Sequence, residues 1–151
     1  MKTNISDPIN PPLSPHPALA VDYGDSRIGI AATDDFGIMA HPVETVPAIG
    51  KDPLLRIAEI AAMRKIRTLV VGLPLRLDGS EGDSAKKVRN FAKSLANTLP
   101  NIPMVFVDET YTTVDASEKL REAGRKAHQQ KHIIDQAAAV EILNRWMGET
   151  F

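Results

Sequence analysis

Three carboxylates stand where hydrolysis of a phosphodiester would need them: Asp22, Glu109 and Asp135. Each borders an apolar stretch able to anchor it. Asp22 closes the run Ala18-Leu19-Ala20-Val21, and Glu109 follows Met104-Val105-Phe106-Val107-Asp108. Asp135 opens Asp135-Gln136-Ala137-Ala138-Ala139. Cleavage assisted by two cations uses acids that bridge or flank ions roughly 3.5–4 Å apart. Mg2+ takes hard oxygen ligands and keeps several waters, so about two to four acids suffice and histidine is optional. A fold that gathers these three acids would make such a cage.

Each acid also has an ordinary reading. On a helix beginning near Ile134, Asp135 shares a stripe with Ala138, Ala139, Ile142, Leu143 and Trp146, the face expected to be buried. At a helix start it could equally serve as a cap, favoured by free N–H groups and the helix dipole. Strand alternation puts Asp22 with Ala20 and opposite Leu19, Val21 and Tyr23. The competing role is a turn-forming aspartate before Gly24. Alternation also groups Glu109 with Val105 and Val107, and Asp108 with Met104 and Phe106. Only one of this adjacent pair can face Asp22, and the alternation does not choose.

Two further segments carry binding chemistry. Gly72-Leu73-Pro74 and Asp78-Gly79-Ser80 lie between a strand and a helix, where Gly72 and Ser80 could meet a phosphate. The loop lacks the Gly-Lys-Ser/Thr of a nucleotide-binding phosphate loop, and a simple turn explains it equally well. Between Lys119 and His132, five basic residues (Lys119, Arg121, Arg125, Lys126, Lys131) face one acid, Glu122, a local charge of +4. Next to Asp135, a mobile loop of this charge would bring phosphate-binding cations beside the acids.

The whole chain sets limits on these readings. Its 151 residues suit one domain with one sizeable core. Net charge is −1, so nucleic acid would have to be bound through a local basic patch rather than by overall attraction. The absence of cysteine rules out disulfides and thiolate metal sites and fits a reducing compartment. No apolar run reaches the ~20 residues of a membrane helix, and no secretory leader is present, so a cytoplasmic protein without membrane partners is expected.

Residues 1–17 hold five of the eleven prolines and no hydrophobic period, which predicts a flexible tail, with the folded domain spanning 18–151. Strands are predicted at 19–23, 28–33, 43–46, 68–71 and 104–108. Helices are predicted at 53–63 (capped by Asp52), 83–99, 114–123 and 134–147. Three strands followed by alternating helices and strands predict a mixed α/β sheet covered by helices.

Four motifs in order resemble the YqgF family of ribonuclease H-like proteins, described as nucleases of precursor 16S rRNA and earlier as Holliday junction resolvases. They are Asp22-x-Gly24-x-x-Arg27-Ile28-Gly29-x-Ala31, then Val71-Gly72-Leu73-Pro74 with Asp78-Gly79-Ser80, then Asp108-Glu109 with Thr112-Thr113, and Ile134-Asp135-x-x-Ala138-Ala139. The resemblance runs from Ala18 to about Met147. It implies a ribonuclease H-like, mixed five-stranded sheet with helices on both faces. It also implies Asp22, Glu109 and Asp135 as catalytic, metal-holding acids, choosing Glu109 over Asp108. The implied cofactor is Mg2+ or Mn2+ at a two-metal site, and the implied partner is precursor rRNA or branched DNA. Arg27, Thr112 and Thr113 join Gly72, Ser80, Arg125, Lys126 and Lys131 as expected substrate contacts. Thr110 stands where the family usually has arginine, which leaves open a non-catalytic RNA-binding module. Paired cutting of a DNA junction would require a homodimer rather than a monomer. An ATP-binding fold of the actin type would need a second domain, for which the chain has no room.

Overall fold

Large and small apolar residues alternate along the central strands, and that alternation decides how closely each helix can approach. The computed structural model describes residues 14–50, 52–109 and 127–150, with side chains of the last helix from 134 to 148. Its elements are β1 (Ala18–Tyr23), β2 (Arg27–Thr33), β3 (Ala40–Pro47), α1 (Pro53–Arg64), β4 (Thr68–Leu73), α2 (Asp83–Thr98), β5 (Met104–Asp108) and α3 (Ala127–Thr150). The sheet order is β3-β2-β1-β4-β5. The first three strands are antiparallel neighbours, while β4 runs parallel to β1 and β5 parallel to β4.

One face of the sheet presents Leu19, Val21, Ile28, Ile30, Leu69 and Val71 to α1 and α2. The other presents Ala18, Ala20, Ala31 and Val70 to Ala139, Ile142, Leu143 and Trp146 of α3. Bulky side chains fill the layer between the sheet and this first pair of helices. Alanines let α3 settle close to β1 and β2, which matters for the site.

The helices arise where sequence signals place them. Asp52 accepts a hydrogen bond from the Leu54 N–H at 2.9 Å, and Pro53 occupies the first turn. Asp52→Ala is therefore expected to cost about 1 kcal/mol, read as a lower urea midpoint at unchanged slope. The stripe Ala85, Val88, Ala92 and Leu95 of α2 is buried as its spacing predicts.

Four boundaries differ from expectation, the first being β4, which runs on through Gly72 to Leu73 instead of stopping at Val71. β3 extends through Pro42 and Pro47 because it is an edge strand, where a missing N–H leaves no ladder bond unmade. A register shift between Ile30 and Ala31 accommodates the extra residue. The last helix starts at Ala127 rather than Ile134, so the polar stretch His128–His132 is helical, not a loop. Residues 14–17, assigned to the tail, are docked on the domain. Thr68 Oγ1 donates to the Pro15 carbonyl at 2.7 Å, and the Arg67 N–H donates to that of Pro17 at 2.8 Å. His16 is buried, bonded to Thr33 Oγ1 at 2.9 Å and edge-on to Trp146 at 5.1 Å. The helix expected at 114–123 lies outside the described residues.

Candidate active site

Asp22 is the fifth residue of β1, on the face it shares with Ala20 and therefore the α3 side. Its partner across the antiparallel ladder is Gly29 of β2. A Cβ at Gly29 would collide with the carbonyl carbon and oxygen of Asp135. The α3 backbone thus rests directly on β2 at that glycine, beside Asp22. On the other flank, Gly72 follows Val71, which pairs with Val21 of β1. A Cβ there would stand 2.7 Å from Glu109 Oε2 and 2.5 Å from Ile142 Cδ1. Two missing side chains, one on each neighbouring strand, make the space in which the acids meet.

Glu109 arrives just after β5, its N–H donating to the Leu73 carbonyl at 3.2 Å. Val107 belongs to the α3-side core, and Glu109 has the same parity, so its carboxyl points to Asp22 while Asp108 is exposed. Glu109 is 9% exposed, and its Oε2 has no hydrogen-bond partner among the described residues. Its carboxyl is pushed up to about 10, first by burial, then by the Asp22 charge and their shared hydrogen bond; Arg145 opposes the rise. Asp22 is also raised, mainly by burial. The bond from Glu109 favours its anion, and the Asp135 charge disfavours it. Both carboxyls are thus pushed toward the protonated form, and the pair retains a proton that an exposed pair would release.

Asp135 lies two turns inside α3, not at its start, so capping is not its role. Its Oδ2 accepts from Arg27 Nε at 2.7 Å. Among the described residues, no group of three or more histidine or acidic side chains is already gathered as a metal cluster. Asp22 and Glu109 are joined, and Asp135 adjoins them but is turned to Arg27.

The donor set nonetheless fits a hard cation. Two adjacent buried carboxyls cannot both ionise without positive charge beside them, and Glu109 Oε2 is a desolvated oxygen with no donor among the described residues. Divalent ions take carboxylate oxygens of this kind.

The other expected contacts separate. Gly72 is buried beneath Glu109 and Ile142, where its missing side chain makes room for an acid. Ser80 is tied into a turn, bonding Asp78 Oδ1 at 2.6 Å through its hydroxyl. Lys131 lies in α3. Thr112, Thr113, Arg125 and Lys126, with Thr110, fall outside the described residues. Sequence reading missed the spatial task of Gly29, whose signal was a glycine inside an otherwise apolar strand.

A family model described as RuvX, Holliday junction resolvase, matches residues 16–149. The chain belongs to the RuvX family. Relatives agree with that placement. A Streptomyces coelicolor protein named "Putative pre-16S rRNA nuclease" is 48% identical over 130 residues, 84% of this chain and 77% of that one. A protein of the same name from Mycobacteroides abscessus is 45% identical over 133 residues, covering 87% and 80%. Among solved structures, Thermus thermophilus RuvC in complex with a Holliday junction substrate superposes with a TM-score of 0.54 at 14% identity, covering 88% of this chain and 94% of that one. This likeness gives the RuvX-family chain a ribonuclease H-like fold. No helix among its described residues is long and apolar enough to cross a membrane.

Proposed function

We propose that this chain is a metal-dependent nuclease that trims the 5′ end of precursor 16S rRNA. The observation that carries the reading is the buried Asp22–Glu109 pair, with its orphaned Oε2, beside Asp135. Its context is a family whose relatives are named for that rRNA.

Asp22, Glu109 and Asp135 would supply the hard oxygens for Mg2+ or Mn2+. When bound, the metal offsets phosphate charge and makes its water more acidic. The chain's own residues do the rest. Asp22 and Glu109 would hold the cation as carboxylates, so the proton that burial keeps on the pair would have to leave to solvent before they could do so. The close contacts at Gly29 and Gly72 hold the backbone of Asp135 and the carboxyl of Glu109 beside Asp22, and the Asp135 carboxylate would turn from Arg27 to join the pair. The apolar surround of Ala20, Val107 and Ile142 keeps the carboxyls poorly hydrated and strengthens their hold on cations.

The test compares wild type with Asp22→Asn on RNA carrying the 5′ flank of 16S rRNA, with Mn2+ or Mg2+ and then with chelator. Cleavage confined to metal-loaded wild type is expected, lower by about a thousandfold or more in the variant. Equal traces for the two proteins would end the nuclease reading. The family description favours a second substrate, a four-way DNA junction. Paired, symmetric incision of that junction by a dimer, with the RNA untouched, would transfer the assignment to it.

A further inference from the structure

One of the three acids, Asp135, is already paired with a cation, Arg27, and the two halves of this ion pair are carried by β2 and α3. Arg27 opens β2 two residues before Gly29, so it shares the α3-side face. The Asp135 backbone is pinned on Gly29 itself. The bond between them, Nε to Oδ2 at 2.7 Å, joins a side chain 35% exposed to one 17% exposed. The guanidinium thus reaches Asp135 from the solvent side, on a stem that can turn outward, whereas the Asp135 backbone is seated on β2 at Gly29.

Resting on the nuclease reading above, we propose that Arg27 is a positioning residue that stands in for the metal. It holds Asp135 in place until a divalent cation loads, then exchanges that carboxylate for a phosphate of the nucleic acid. The chemistry favours the exchange in both directions. Asp135 offers a hard anionic oxygen, which a divalent ion takes more strongly than a guanidinium does. The freed guanidinium is a planar fork of N–H donors suited to phosphate oxygens. Metal and nucleic acid would then bind with positive coupling, because each removes the other's competitor.

The decisive measurement is Mn2+ affinity by calorimetry without nucleic acid, for wild type, Arg27→Gln and Arg27→Lys. Arg27→Gln should bind Mn2+ about three- to tenfold more tightly, with Arg27→Lys between. A damaged fold loses affinity; only removal of a competing cation raises it. In Ca2+, Arg27→Gln should bind a labelled RNA strand more weakly, with its salt slope shallower by about one. Unchanged or weaker Mn2+ binding in both variants, while wild type binds Mn2+ and cuts RNA, would overturn this proposal alone. Wild type that takes up no Mn2+ would overturn it together with the nuclease reading.

Discussion

Glu109→Gln should melt at a higher temperature than wild type at pH 8 in chelator, and should cleave nothing when metal is returned. The folded carboxyl is raised from an ordinary 4.5 to about 10, chiefly by burial. A raised carboxyl pKa means the folded chain holds a proton that the unfolded chain releases. Its contribution to stability is complete below about pH 4.5 and is lost as pH climbs toward 10. At pH 8 the unfolded glutamate is ionised, so folding must either take up a proton or bury a charge. Glutamine keeps the shape and does neither, so it should gain about 1–3 kcal/mol, or roughly 2–4 °C of melting temperature per kcal/mol. It cannot accept the charge of a cation, so Mn2+ should raise the melting temperature of wild type and leave the variant unmoved. Metal-free wild type whose stability rose steadily from pH 5 to 9 would contradict the argument. So would a variant that still cut.

That opposition between stability and activity explains which parts of the site could be read from sequence. Apolar spacing foretold the buried faces of α2 and α3 because burial is what such spacing encodes. It also put Asp22 with Ala20, on the side where α3 lies. It could not choose between Asp108 and Glu109, since alternation sorts residues into two faces without saying which is the site. The choice follows from β4–β5 register and from Gly72, whose vacant Cβ position lies against the Glu109 carboxyl. The hydrophobic period begins at Ile134 and so places a helix start beside Asp135, whereas the helix already runs from Ala127. Helix formation through His128–His132 needs no such period, only the absence of glycine and proline. Arg27 was assigned to phosphate from its motif, yet its hydrogen bond goes to Asp135, 108 residues along the chain. Contacts at that separation leave no periodic trace.

Gly29→Ala should damage stability and cleavage together. The added Cβ would overlap the Asp135 carbonyl group, which is helix backbone and cannot rotate aside. Either β2 bends away or α3 lifts from the sheet at that turn. Both responses loosen the packing around Ala31 and Ala139. Overpacking of this kind costs about 1–3 kcal/mol, and rigid backbone on one side puts the upper end in view. A shift of about 1 Å between Asp135 and Asp22 is enough to lower cleavage about a hundredfold. Gly50→Ala supplies the contrast. Gly50 lies between β3 and α1 at φ +100°, and a Cβ there would meet no atom within 4 Å among the described residues beyond its chain neighbours, so alanine strains the backbone without a described clash. It should lose about 1 kcal/mol and cut at the wild-type rate. Denaturant melts and initial rates on the same preparations separate the cases. If Gly29→Ala unfolds and cleaves like wild type, α3 does not depend on that glycine to bring Asp135 to the acids.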